Sequence, residues 1–201
     1  RIGIVGAGQL ARMLALAGAP LGVRFLVVDN VPEACASQVA PQLTADWRDF
    51  AALAEFARRI DVATFDFENV PADTAQWLTE HTRVFPNPRA LAVAQDRLAE
   101  KSLFRDIGLP TPDFAAVDSR EDLIRAVERI GVPSILKTRR LGYDGKGQFR
   151  LKAPTDVDAA WDALAGAPSI LEAFVPFERE LSVIAVRSRE GEFRTYPLTQ
   201  N

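Results

Sequence analysis

The chain has 201 residues, 48% hydrophobic and 25% charged, enough apolar side chain for one large domain or two small ones with real cores. A formal net charge of -3 excludes the basic excess of a general nucleic-acid binder, and one cysteine, Cys35, with one histidine, His81, excludes an internal disulfide, a cysteine-based metal cluster and a His/Cys zinc site. No apolar run reaches the roughly 18 to 20 residues of a membrane helix, because Pro20 and Arg24 interrupt the most hydrophobic early stretch, so a cytoplasmic protein without membrane or nucleic-acid partners is expected.

The chain opens on the strand-like RIGIVG, and no secretory leader is expected. The helix-like GQLARMLALAGAPLG follows, then the strand RFLVVDN, the helix DFAALAEFARRI, the strand VATFDFENV, the helix PADTAQWLTEH and the strand RVFPN. Short apolar strands alternating with amphipathic helices predict a parallel sheet covered on both faces. Pro71 suits a first helical turn, and Pro86 with Pro88 breaks the pattern, which places a domain boundary near residue 90. NPRALAVAQDRLAEKSLFRDIGLPTP reads as one helix that ends at Gly108, with Pro110 and Pro112 preventing continuation. Next come a strand DFAAV, a helix from about Ser119, a strand SILKTR, a glycine loop, a strand QFRLK and a helix from about Thr155. SILEAFV and ELSVIAVRSREGEFRTYPLTQN read as strands, the last pair joined as a hairpin around REGE. The expected fold is α/β: a Rossmann-like parallel-sheet domain over 1–90, followed by an incomplete α+β domain over 91–201 without a closing helix.

GAGQLA, Gly6 to Ala11, follows a strand and opens a helix, the form used where a helix N-terminus meets a phosphate. Asp29 ends the second strand about 20 residues on, where a nicotinamide dehydrogenase keeps its ribose ligand, so that reading stays open. Glu68 lies just past a strand end, and its alternation with Phe65 and Phe67 turns the carboxylate away from the core, toward a polyol such as ribose. The second loop, RLGYDGKG, has glycines that let backbone amides fold over an anion. Lys137, Arg139, Arg140, Lys146, Arg150 and Lys152 surround it against the single acid Asp144, so a strongly positive field and a phosphate ligand are expected. Lys137 stands on an apolar strand beside Ile135 and Leu136, placed to meet a polyphosphate. The strand ILEAFV then runs through Glu172 into a linker, with Glu180 eight residues beyond.

Together Lys137, LGYDGKGQ and EAFVPFERE resemble the nucleotide site of the ATP-grasp superfamily. GQLARML, FDFENVP, QDRLAEKSLFRDIGLPTP, GYDGKGQ and YPLTQN are similar, in order and across essentially the whole chain, to the 5-(carboxyamino)imidazole ribonucleotide synthase family. The resemblance implies ATP ligands at Arg97, Lys137, Gly142, Tyr143, Asp144, Gly145, Lys146, Gly147, Gln148, Glu172, Ala173, Phe174, Val175 and Glu180. By spacing alone Arg97 and Lys101 would be a solvated pair one helical turn apart. The ribonucleotide would lie against Gly8, Gln9 and Leu10, with Glu68 at its ribose and Tyr143 and Asp144 approaching from the loop. Lys137, Tyr143, Asp144 and Lys146 are the residues implied in catalysis. The implied reaction takes ATP and bicarbonate to carboxyphosphate, then moves the carboxyl group to 5-aminoimidazole ribonucleotide. The cofactors are ATP and Mg2+, the magnesium ligands are expected beyond Asn201, and no metal ligand is expected within this chain. The resemblance also implies a longer protein, a homodimer at full length and no turnover by these 201 residues alone. Formate-dependent glycinamide ribonucleotide transformylase and biotin carboxylase share the loop and lysine and remain alternatives.

Overall fold

The computed structural model describes residues 1–142 and 146–201. Strands β1 (Ile2–Val5), β2 (Phe25–Asp29), β3 (Gln42–Thr44), β4 (Val62–Phe65) and β5 (Arg83–Val84) form one parallel sheet in the order β3-β2-β1-β4-β5. Ile4, Val5, Leu26, Val27 and Val28 are all fully or almost fully buried, which is why the central strands read as continuous apolar runs rather than alternating ones. One face packs Leu53, Phe56 and Ala57 of α2 (Phe50–Arg58) and Ala75 and Leu78 of α3 (Ala72–Thr79). The other face receives Ala11 and Ala15 of α1 (Gln9–Gly18), whose small side chains let the helix sit close to Ile4 and Val27. The order reverses at β1, so the carboxyl ends of β1 and β4 lie side by side, in register Val5 with Phe65. A crevice at that reversal is where open α/β sheets receive ligands.

Two features of this half depart from the sequence reading. The short β3 pairs with Val27–Asp29 inside a stretch with no strand pattern of its own, because three residues carry too little periodicity to register. The expected single helix is two, α4 (Pro88–Ala94) and α5 (Arg97–Asp106). The Gln95 side chain donates to the carbonyls of Glu68 and Val70, at 2.6 and 2.5 Å, and Asp96 caps α5 by accepting from the amides of Leu98 and Ala99, so the helical ladder is interrupted there.

The second sheet is antiparallel, in the order β6-β9-β7-β8, from β6 (Phe114–Val117), β7 (Ser134–Thr138), β8 (Gln148–Leu151) and β9 (Ser169–Ala173). Helices α6 (Arg120–Ile130) and α7 (Val157–Ala163) cover one face, with Leu123, Val127 and Ala160 against Leu136, Leu151 and Leu171. The Ser119 hydroxyl starts α6 by accepting from the Asp122 amide at 3.1 Å. Beyond β9 the chain forms two small antiparallel ribbons: β10 (Leu181–Ser182) with β13 (Thr199–Gln200), and β11 (Ala185–Arg187) with β12 (Phe193–Thr195). The latter is the hairpin expected around REGE. No helix among the described residues is long and apolar enough to cross a membrane.

Gly3 on β1 leaves no room for a side chain, since a Cβ there would stand 2.4 Å from Ile60 Cδ1 and 2.6 Å from Phe56 Cζ. Gly3→Ala is expected to cost roughly 1–3 kcal/mol. Urea unfolding checks this as a lower midpoint at unchanged slope.

Candidate functional site

The first element of the site is the edge where β1 and β4 end. The Asp66 amide donates to the Val5 carbonyl at 2.9 Å, which carries β4 into register beside the GAGQLA turn. Asp66 then accepts from the Gly8 amide at 2.7 Å and from the Ala11 amide, so a carboxylate 55 to 58 residues distant in sequence serves the N-terminus of α1. The amides of Gln9 and Leu10 keep no partner among the described residues. Asp29 is buried and accepts from the amides of Ala7 at 2.7 Å and Val31 at 2.9 Å. That corrects the dehydrogenase reading: both oxygens of the expected ribose ligand hold the protein's own backbone. Glu68 is exposed at the same edge, on a loop that Gln95 fastens through the carbonyls of Glu68 and Val70.

The second element is the root of the loop between β7 and β8. The Arg97 guanidinium donates to the carbonyls of Thr138 at 2.8 Å and Gly142 at 2.6 Å, while its backbone amide donates to Arg139 at 3.0 Å. Half-buried and doubly bonded, Arg97 is no solvated partner of Lys101. Arg139 makes a two-pronged contact with Asp96, Nε to Oδ1 at 3.0 Å and Nη2 to Oδ2 at 2.7 Å. On the returning side Thr138 donates to the Gly147 carbonyl at 2.8 Å. Gly147 has φ +68°, and a Cβ on it would lie 2.6 Å from Thr138 Oγ1, so only glycine closes this root without strain. Lys146 is exposed, and Gln148 opens β8 opposite Lys137. The expected contacts of Tyr143, Asp144 and Gly145 lie outside the described residues.

The third element is a buried ion cluster under the sheet. Glu172 on β9 is 4% exposed, and its Oε2 meets Lys137 Nζ at 3.0 Å and Lys101 Nζ at 3.4 Å. Its other oxygen, Oε1, is buried without a hydrogen-bond partner among the described residues. The linker that follows is held from below: the amides of Ala173 and Phe174 donate to Asp113 at 2.8 Å and Pro133 at 3.1 Å, and the Arg150 guanidinium stacks 3.9 Å from the Phe174 ring centroid. The Val175 amide remains without a partner among the described residues. Glu180 is exposed, and its backbone carbonyl accepts from Asn201 at 3.0 Å.

The lobes meet around a small polar cavity of about 120 Å³, lined by Glu68 and Asn69 from the first and by Arg97, Glu100, Arg139 and Gly142 from the second. The structure therefore brings Glu68, Arg97 and the start of the glycine loop to one cleft. The strongly positive field expected from composition is moderated, because Lys137 faces Glu172, Arg139 faces Asp96 and Asp118, and Arg140 also reaches Asp96 at 3.6 Å. Sequence reasoning missed Asp66, Gln95, Asp96 and the engagement of Lys101. Of these only Asp96 carried a local signal, an acid at the start of a helical pattern. Burial pushes the Asp96 carboxyl up, but the Arg139 hydrogen bond, with the Ala99 and Leu98 amides, outweighs it and holds the group below the ordinary Asp range. No group of three or more His, Cys, Asp or Glu among the described residues could hold a metal ion.

Residues 1–95 match the ribonucleotide synthetase preATP-grasp domain, and residues 102–201 match the ATP-grasp domain. N5-carboxyaminoimidazole ribonucleotide synthase from Pseudomonas aeruginosa is 51% identical over 201 residues, which is all of this chain and 56% of that protein. The crystal structure of N5-carboxyaminoimidazole ribonucleotide synthetase from Thermus thermophilus superposes with a TM-score of 0.92 at 47% identity, covering 100% of this chain and 54% of that one. The Staphylococcus aureus N5-carboxyaminoimidazole synthetase complexed with ADP gives a TM-score of 0.94 at 30% identity, again over 100% of this chain and 54% of the other. The chain thus spans about half the length of the relatives it matches.

Because the folded Asp96 is the stronger acid, its stabilisation is complete above the unfolded value near ~3.9 and is lost as pH falls through the folded value. Asp96→Asn is expected to cost roughly 3 kcal/mol at pH 7 and to flatten the acid limb of the stability profile. Urea midpoints from neutral pH to about pH 3 test it, and identical acid slopes in both proteins would count against this pair.

Proposed function

The chain belongs to the N5-carboxyaminoimidazole ribonucleotide synthase family of ATP-grasp proteins, of which it spans the N-terminal part, and on that premise we propose that the protein carboxylates 5-aminoimidazole ribonucleotide with ATP and bicarbonate in purine biosynthesis. The observation that carries this reading is the shared cleft, where Glu68 of one lobe faces Arg97 and Gly142 of the other. Residues 1–90 form the acceptor lobe and 91–201 the nucleotide lobe. The loop Gly142 to Gln148 and Lys137 take the ATP phosphates, with Tyr143, Asp144, Gly145, Lys146 and Gly147 contributing from the loop. The linker Glu172–Ala173–Phe174–Val175 holds adenine, with the unpartnered Val175 amide as donor to a ring nitrogen, and Glu180 accepts from the ribose. Arg97, bonded to the Thr138 and Gly142 carbonyls on the outgoing limb, positions the loop over the nucleotide.

The acceptor ribonucleotide lies at the β1–β4 reversal, with Glu68 at its ribose. Gly8 makes room for the Asp66 carboxylate, 2.5 Å from where a Cβ would stand, and gives it its amide; Gln9 and Leu10 supply the amides for the phosphate. Bicarbonate oxygen attacks the γ-phosphorus and ADP leaves. The exocyclic amine then attacks the carboxyl carbon of carboxyphosphate, phosphate departs and the amine gives up a proton. Neither step needs a side-chain nucleophile. The protein's task is to place the reactants, stabilise phosphoryl charge and exclude water from a labile mixed anhydride. Magnesium would offset phosphate charge, but the described residues do not gather a carboxylate set for it, and Glu172 is already held by two lysines. We place its ligands in the part of the relatives' length that this chain does not span, so residues 1–201 alone do not turn over substrate. A cytoplasmic homodimer completes the proposal.

In the full-length protein, Lys137→Met is expected to lower aminoimidazole-ribonucleotide- and bicarbonate-dependent phosphate release by at least ~100-fold without changing the circular dichroism spectrum. Turnover at the unmodified rate would overturn the assignment. NADH binding in place of ATP binding, followed by fluorescence titration, would overturn the reaction class.

A further inference from the structure

The Lys137–Glu172 pair poses a problem of charge that the proposed function leaves open. On the antiparallel ladder Ile135 is opposite Glu172 and Lys137 is opposite Ile170, so Lys137 reaches Glu172 as a diagonal neighbour on one face. The Glu172 side chain is only 6% exposed, and all of its pairing among the described residues falls on one oxygen, Oε2. If Lys137 turns toward incoming phosphate, it abandons a buried carboxylate, and a buried charge stripped of its partner is strongly destabilising. Lys101 occupies the position that relieves this. It stands one helical turn after Arg97 on α5, its side chain is 21% exposed, and its ammonium lies 3.4 Å from the same Oε2.

We infer that Lys101 is the standing counter-ion of Glu172, a positioning residue that keeps the buried carboxylate paired while Lys137 exchanges it for the nucleotide phosphates. The inference rests on the reading that Lys137 meets phosphate. In the ligand-free protein the two ammoniums share one carboxylate oxygen; with nucleotide bound, Lys101 carries that contact alone. A lysine confined to stability would not couple to Glu172 in nucleotide binding, whereas a counter-ion must.

The test measures ATP dissociation constants and melting temperatures for the full-length protein and its K101M, K101R, E172Q and K101M/E172Q variants. K101M is expected to weaken ATP binding by about tenfold, because Lys137 is then the only partner of Glu172 and leaves it less readily. K101R, which keeps the charge, is expected to bind nearly as the unmodified protein does. With Glu172 neutralised no carboxylate is stranded, so K101M/E172Q is expected to match E172Q, the coupling that a double-mutant cycle isolates. This double variant strands no buried carboxylate and reports even if K101M alone folds poorly. An unchanged constant in K101M, or the same tenfold loss in the E172Q background, overturns the inference. K137M is the separate control: unweakened ATP binding there would bring down the phosphate reading on which the inference rests, whereas weak binding in K137M with normal binding in K101M would remove Lys101 alone.

Discussion

The clamp between the start of α5 and the end of β7 is the constraint on which the rest of the site depends. Asp96 caps the helix, receives both prongs of Arg139 and so ties a helix N-terminus to a strand C-terminus. Arg97, the next residue, closes the same junction from its other side through the carbonyls of Thr138 and Gly142. Buried ion pairs are weak sources of net stability, but they are exacting about geometry, because either partner alone is costly. What the clamp supplies is position: the outgoing limb of the loop leaves the sheet at a fixed point, beside the first lobe's Glu68.

The same logic governs the cations. A mildly acidic chain proposed to bind polyphosphate needs local positive charge, yet unpaired ammonium and guanidinium groups in a half-buried cleft would repel one another. Here Lys137 and Lys101 are matched to Glu172 and Arg139 to Asp96 and Asp118, acids from other elements, while Arg97 is held by backbone carbonyls. An incoming anion therefore competes with protein carboxylates for ligands that are already oriented. Such preorganisation lowers the raw field but removes the reorganisation that free, solvated lysines would require.

Much of the scaffold was legible because burial on both faces writes itself as continuous apolar runs. IGIV and FLVVD could hardly be anything but central parallel strands, and REGE between apolar pairs could hardly avoid a hairpin. The glycine loop stood out by composition, and the two strands expected to flank it pair antiparallel. What stayed hidden has one cause: partners far apart in sequence. Nothing near Gln95 announces that its amide will hold Glu68 and Val70, 27 and 25 residues away, and that contact turns one expected helix into two. Lys101 looked like the surface half of an i,i+4 pair until β9 brought Glu172 beneath it.

The GAGQLA turn shows why a short fingerprint underdetermines chemistry. Glycines after a strand report that the backbone turns tightly into a helix, and the helix then exposes amides that favour negative charge. Whether that charge comes from a cofactor or from the protein is decided elsewhere, by the residue at the end of the neighbouring strand. In this chain that residue is Asp66, whose oxygens reach the amides of Gly8 and Ala11, while Asp29 is drawn inward to Ala7 and Val31. With both acids bound to backbone, a dinucleotide would find its pyrophosphate position filled by a carboxylate and its ribose ligand turned away. The amides of Gln9 and Leu10 are what remain, enough for a monophosphate at the sheet edge and too few for a pyrophosphate cradle. The turn thereby suits the small phosphate of the proposed ribonucleotide acceptor better than a dinucleotide.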